Sequence, residues 1–233
     1  MHVLCYYNIW LFKRVGLKMY IKGQNKKEEI YLNAKILLFE NGYTNTTIKK
    51  IAQVSDSPVS LVHYYFKKKD EIIRSIYYDF LNNIHFFLHI NKREIFNNSI
   101  LSHAVTSRIY YDIILSNLNN RRVYHEILLC KSNYSIMSKY TNKVYKNYIK
   151  DNQLIVSDEL FEMYSVMDFG ARREFFLDYF EGNTDISVQE IVSSLNGLIP
   201  RLYKVDQHYV DSLMMDSLSI FNSLDYSELK FLI

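Results

Sequence analysis

Residues 46–70, TTIKKIAQVSDSPVSLVHYYFKKKD, constrain this chain more tightly than any other stretch. Thr47 can cap a short helix through Val54, because its side-chain oxygen can accept from a backbone N–H that the first turn leaves unpaired. Ile48, Ile51 and Ala52 would form the buried face of that helix. Ser55-Asp56-Ser57 has turn chemistry, and Pro58 suits the first residue of a second short helix, where a missing N–H costs nothing. The second helix should run to about Tyr65, with Lys67-Lys68-Lys69-Asp70 marking the break before the next element. Two short helices across a tight turn are the pattern of a helix-turn-helix, whose second helix enters the DNA major groove.

The flanks extend this reading. Over residues 26–40 the apolar Ile30, Ala34, Leu37 and Leu38 fall on one 3.6-residue stripe, and Asn41-Gly42 is a helix stop. From Asp70 onward Ile72, Ile73, Ile76, Tyr77, Phe80, Ile84 and Phe87 predict an amphipathic helix of about five turns. Further helices are expected over 98–118, 121–130, 133–151, 158–181, 187–204 and 206–224, separated by Asn119-Asn120, Asp151-Asn152 and Gly182-Asn183 among other breaks. With 21 Tyr and 14 Phe against 6 Gly and 2 Pro, the chain is rich in packing material and poor in the residues that punctuate β folds. An all-α fold follows, with a three-helix unit at 26–75 joined by a long helix to a larger helical domain at 76–233.

Residues 1–25 stand apart as an N-terminal extension. The apolar run 3–12 spans ten residues, where a membrane helix needs roughly 20. Lys13 and Arg14 follow the run, whereas a secretory signal places its basic residues first. Residues 1–18 are therefore expected to be non-native, with Met19 as the true start; an amphipathic arm is the alternative. No membrane partner is expected, and two cysteines, Cys5 and Cys130, fit a reducing cytoplasm better than a disulfide scaffold.

Charge is distributed unevenly. Residues 1–25 carry four Lys/Arg and no acid, and residues 26–74 carry nine Lys/Arg against six Asp/Glu. The remainder is net acidic. A basic N-terminal region suits a phosphate backbone, since neutralising phosphates releases counterions; a merely solvated basic face is the blander reading.

An amphipathic helix ending LLFENGY, then TTIKKIA, the turn, the aromatic cluster His63-Tyr64-Tyr65-Phe66 and KKKDEI together resemble the TetR (tetracycline-repressor) family of bacterial transcription factors. The likeness covers about residues 26–75. It implies an N-terminal DNA-binding domain and a C-terminal domain for ligand binding and dimerisation. It also implies that Thr47 faces a phosphate, that Lys49 reaches backbone or base, and that Val59, Ser60 and Leu61 lead the recognition helix. His63 and Tyr64 would meet the DNA backbone, and Lys69 matches the family's phosphate-gripping lysine. The chain departs from the family pattern at Ser55-Asp56-Ser57, where Ala-Gly-Val is usual, and at Pro58, Ser60 and His63. Asp56 would lie near DNA as a like charge unless it caps the recognition helix.

Other constellations are weaker. His85 and His89 are four apart on a helix and could share a metal, but two ligands in an aromatic-rich face are more simply packing, so no metal or cofactor is expected. Within 158–181 lie Asp168, Arg172, Arg173 and Glu174. Arg172 and Arg173 could anchor a ligand carboxylate or phosphate, while surface ion pairs at helical spacing are the duller reading. No P-loop, nucleophile elbow, HExxH helix or dinucleotide fingerprint is present, so an enzyme has no residue-level support. The expected function is a ligand-responsive regulator, a repressor by preference, binding a palindromic double-stranded DNA operator as a homodimer with an unidentified small-molecule effector. The stripes Val188, Ile191, Leu195, Leu198 and Val210, Leu213, Leu218, Phe221 are expected at the dimer interface. The alternative is a helical protein-interaction adaptor that does not bind DNA.

Overall fold

In the computed structural model side chains are described for residues 24–130 and 136–233, and backbone alone for 3–23 and 132–135. The helices are α1 (Val3–Asn45), α2 (Ile48–Val54), α3 (Val59–Tyr65), α4 (Lys69–Asn91), α5 (Ser99–Ser116), α6 (Leu118–Leu129), α7 (Ser132–Asp151), α8 (Asp158–Glu181), α9 (Val188–Leu202) and α10 (Gln207–Asn222). A short 3-10 helix, Arg93–Asn97, precedes α5. No strand occurs among the described residues. The chain divides into two compact units, Met1–Ile72 and Ile73–Ile233, and α4 runs across the division as one helix. The expectation that residues 1–18 are non-native falls on side chains outside those described.

In the first unit the stripe Ile30, Ala34, Leu37 and Leu38 of α1 packs inward with Ile51 and Ala52 of α2 and Val62 of α3, all buried. Helical geometry breaks at Gly42, whose φ of 80° lies in the left-handed region that glycine enters freely. Thr46, fully buried, ties this break together through its hydroxyl, which lies 2.7 Å from the Gly42 carbonyl and 3.1 Å from that of Leu37. The chain therefore leaves α1 along a fixed path.

In the second unit α5 is the central helix. Residues 103–111 are buried without interruption, and α6, α7, α9 and α10 all pack against α5. The element boundaries follow local capping. Asn117, rather than Asn119-Asn120, divides α5 from α6, because its side chain accepts from the N–H groups of Asn119 and Asn120. Gly182, at φ 72°, terminates α8, with the Asn183 N–H returning to the Asp178 carbonyl.

Most of the apolar stripes of α9 and α10, expected at a dimer interface, lie in the core of the unit. Ile191, Leu195, Val210, Leu213 and Phe221 are buried inside the unit, and Val188, Leu198 and Leu218 are half-buried. Covering the central α5 consumes the apolar face that periodicity alone would assign to a second copy. The largest run of exposed apolar side chains on one helix of this unit is on α8, at Leu160, Met163, Val166, Met167 and Phe175, with Tyr209 and Met215 exposed on α10 and Phe86 and Ile90 on α4.

Candidate functional site

The helix-turn-helix is built from side chains that fix its turn onto α1. Lys26 donates to the Ser55 carbonyl at 2.6 Å, and the Asn33 amide donates to the Ser55 hydroxyl at 3.2 Å. Ser57 donates to the same carbonyl from its side chain, and its N–H reaches the Ala52 carbonyl at 2.9 Å. Asp56, between them, has φ 42°. This left-handed position is where the family usually carries glycine, and aspartate is among the few residues that tolerate it. Asp56 is exposed and no side chain caps α3, so it does not serve as the recognition-helix cap. Pro58 stands at that cap with an extended backbone, φ −65° and ψ 144°, one residue before the helix rather than at its first position.

The end of α1 is locked to the start of α4. The Tyr43 hydroxyl donates to Asp70 at 2.6 Å, and the Lys69 ammonium donates to the Tyr43 carbonyl at 2.6 Å while lying 3.7 Å from the centre of its ring. Lys69, the expected phosphate grip, is thus half-buried and engaged within the fold. Its first duty is to satisfy a helix-terminal carbonyl, which carries partial negative charge.

What remains on the surface forms one face. On α3 Val59, Ser60, His63 and Tyr64 are exposed, Leu61 is half-buried, and Val62 is buried, as is Phe66 just past the helix. Thr47 caps α2 by accepting from the Lys50 N–H at 3.2 Å, which leaves its hydroxyl hydrogen to donate outward. Lys49 is exposed, as are Lys67 and Lys68 in the break between α3 and α4. His63 Nδ1 lies 3.0 Å from the Lys67 carbonyl. A carbonyl only accepts, so Nδ1 carries the hydrogen, and the neutral ring presents an acceptor rather than a donor at Nε2. His63 can therefore donate to a phosphate from Nε2 only as imidazolium, whereas it can accept from a base amino group when neutral.

In the second unit a cavity of about 50 Å³ is lined by Leu81, His103, Tyr110, Tyr140, Phe169 and Arg172 among others. The Asp168–Arg172 pair beside it is buried, not a surface pair. Arg172 Nε donates to Asp168 at 2.7 Å, Tyr145 donates to the same carboxylate oxygen, and Arg172 Nη2 reaches the Asn196 side chain at 3.2 Å. Burial, with Asp168 adjacent, pushes the Tyr145 hydroxyl well above its ordinary pKa, so it stays a neutral donor. Arg173 is elsewhere: it donates to the Leu128 carbonyl at 3.1 Å and pairs with Glu174. Of the two arginines, only Arg172 belongs to the cavity.

His85 and His89 do not converge on a metal. His85 Nε2 lies 3.1 Å from the Tyr140 hydroxyl, and His89 stacks on Phe96 with centroids 3.9 Å apart. Among the described residues no group of three or more His, Cys, Asp or Glu could hold a metal, and no helix is long and apolar enough to cross a membrane.

Residues 30–76 match the family described as bacterial regulatory proteins, tetR family. No curated protein matches the chain. Among solved structures, RolR in complex with resorcinol is similar at a TM-score of 0.56 and 12% identity, over 83% of this chain and 94% of RolR. The flavonoid-responsive regulator FrrA is similar at a TM-score of 0.42 and 15% identity, over 77% of this chain and 95% of FrrA. The likeness to RolR extends the fold agreement beyond the matched N-terminal residues.

Proposed function

We propose that this chain, whose N-terminal unit belongs to the tetR family of bacterial regulatory proteins, is a ligand-responsive transcriptional repressor that binds a two-fold symmetric operator as a homodimer. The observation that carries this reading is the anchored helix-turn-helix. Lys26 and Asn33 hold the turn between the two short helices, and Tyr43, Asp70 and Lys69 lock the flanking α1 and α4, so Val59, Ser60 and His63 form a fixed face. The Val59 side chain suits a thymine methyl, and Ser60 and His63 can bond base edges. Thr47, Lys49, Tyr64, Lys67 and Lys68 surround that face and supply contacts to phosphates, which position the protein without reading sequence.

A symmetric operator requires two copies. On α8 the exposed Leu160, Met163, Met167 and Gly170 recur at heptad spacing, with Val166 beside them. Gly170 is open enough that a Cβ built there would meet nothing within 4 Å. A second α8 running antiparallel would set Met163 of each copy over Gly170 of the other, the self-complementary arrangement a two-fold interface demands. The effector belongs in the cavity beside Arg172; the resorcinol of RolR is a precedent for a small molecule in this fold. Such a molecule releases DNA only by binding the arrangement that cannot hold both half-sites more tightly than the one that can.

The double variant Met163→Glu/Met167→Glu tests the dimer. Light scattering should report a monomer with unchanged helical content. Affinity for a palindromic operator selected from genomic fragments should fall at least about a hundredfold, because the second half-site no longer gains from the first. A variant that remains dimeric would remove α8 from the interface.

A further inference from the structure

The chemistry of the cavity goes further than the presence of an effector, and rests on that part of the reading above. We infer that the effector is an uncharged, single-ring aromatic compound bearing a hydrogen-bond acceptor oxygen, an aryl ketone or aldehyde being the simplest example, held by Arg172 and His103.

Arg172 and His103, two buried residues on the cavity wall, each keep a donor that makes no hydrogen bond within the fold, and the Tyr124 hydroxyl beside them is buried without a partner. Arg172 is more than nine-tenths buried. Its Nε is taken by Asp168 and its Nη2 by Asn196 and the Leu195 carbonyl, which leaves Nη1 without a hydrogen bond. His103 is equally buried, and its Nδ1 is bonded to the Tyr148 hydroxyl. Tyr148 is fully buried and this ring nitrogen is the acceptor its hydroxyl hydrogen meets, so Nδ1 accepts and Nε2 carries the ring hydrogen. Burial, and then the positive Arg172, hold the His103 pKa well below its ordinary value, so the ring is a neutral donor at Nε2. Donors that the fold leaves open on a cavity wall can bond a ligand oxygen without breaking an internal pair.

Charge excludes an acid. Arg172 is already neutralised by Asp168, and His103 is neutral, so the walls have no net charge to offer. A carboxylate brought here would be an unpaired buried ion, whereas a carbonyl oxygen accepts the same hydrogen bonds without that penalty.

Shape sets the ring and its number. Tyr110, Tyr140 and Phe169 form aromatic walls, but the cavity is only about 50 Å³. A cavity of about 150 Å³ is known to admit benzene. One ring can therefore enter only if the walls retract, with the flexible Met137 the natural wall to yield, and two rings would demand far more. That expansion gives a ligand the difference in affinity between two states that regulation requires.

Calorimetry and thermal melting of the full chain with acetophenone, ethylbenzene and benzoate test the inference. Acetophenone should bind about tenfold or more tightly than ethylbenzene, which has the ring without the acceptor, and benzoate should bind more weakly than acetophenone. His103→Leu should remove most of the preference for acetophenone over ethylbenzene while leaving ethylbenzene nearly unchanged. Tighter binding of benzoate, equal binding of acetophenone and ethylbenzene, or no binding at millimolar concentration would overturn the proposal. If His103→Leu fails to fold, the order of the three probes on the natural chain decides alone. DNA binding by the same preparation separates this failure from that of the regulator reading. DNA binding without acetophenone binding sinks only the ligand class, and acetophenone binding without DNA binding sinks only the regulator.

Discussion

Arg108→Ala is expected to lower stability by about 3–5 kcal/mol, a fall of roughly 10 °C in melting temperature. Arg108 sits on α5 with none of its surface exposed, and no carboxylate pairs with it. Its Nε donates to Ser217 at 2.8 Å. Its Nη1 donates to the Gln189 carbonyl and side-chain oxygen at 3.1 and 2.8 Å, and its Nη2 to Ser193 at 2.7 Å and the Met214 carbonyl at 3.0 Å. One guanidinium thus joins α5, α9 and α10 through neutral dipoles. Burial pushes its pKa down to about 10, so it remains charged at neutral pH. The hydrogen-bond loss is partly cushioned: Ser193 still donates to the Gln189 carbonyl and Ser217 to that of Met214. The cavity left behind is then the larger cost, so Arg108→Met, which fills most of it, should recover about 2 kcal/mol. Chemical denaturation of the three proteins checks the order. Equal losses for alanine and methionine would mean that the charge, not the volume, dominates.

Asp168→Ala should be as damaging, at about 3–5 kcal/mol, because it strands Arg172 as a buried cation. The carboxylate is wholly buried and receives both Arg172 and the Tyr145 hydroxyl on one oxygen. After its removal Arg172 keeps only Asn196 at 3.2 Å and the Leu195 carbonyl at 3.4 Å, neither of which carries a neutralising charge. The double variant Asp168→Ala/Arg172→Met should therefore be more stable than Asp168→Ala alone, since deleting both ions removes the stranded charge. A double variant whose loss equals the sum of the two single losses would show that the pair is not coupled.

These two residues also mark where sequence reasoning stops. Thr47, the stripe Ile30–Ala34–Leu37–Leu38 and the Gly182 stop are legible because cap, stripe and left-handed turn act within a few residues. The first unit is built largely from such short-range signals, which is why its helices could be placed from the chain alone. Arg108 lies in SHAVTSRIYY, a segment with four polar side chains, His103, Thr106, Ser107 and Arg108, that has no short-range signal of burial. They are instead internal, since the partners of Arg108 lie 81 to 109 residues further along the chain. The same long-range packing puts most of the α9 and α10 stripes in the core and buries the Asp168–Arg172 pair, whose duller reading is a surface pair. At the helix-turn-helix, Lys69 is legible as a cation at the start of α4, but its engagement by the Tyr43 carbonyl depends on the break at Gly42, which brings that carbonyl to it. Lys67 and Lys68 are legible in the sequence as charges, and their exposure on the surface comes from the structure.

DNA binding through the exposed face of α2 and α3 is the central claim, and fluorescence anisotropy of a labelled generic duplex titrated with the full chain from 50 to 200 mM KCl tests it most directly. If Lys49, Lys67 and Lys68 of two copies meet phosphates, the slope of log affinity against log salt should be roughly −5, a loss of about a thousandfold over that range. Lys49→Ala should weaken every duplex and reduce the magnitude of the slope by about 2, one contact in each copy. No binding at 50 mM KCl, or an affinity indifferent to salt, would contradict the account.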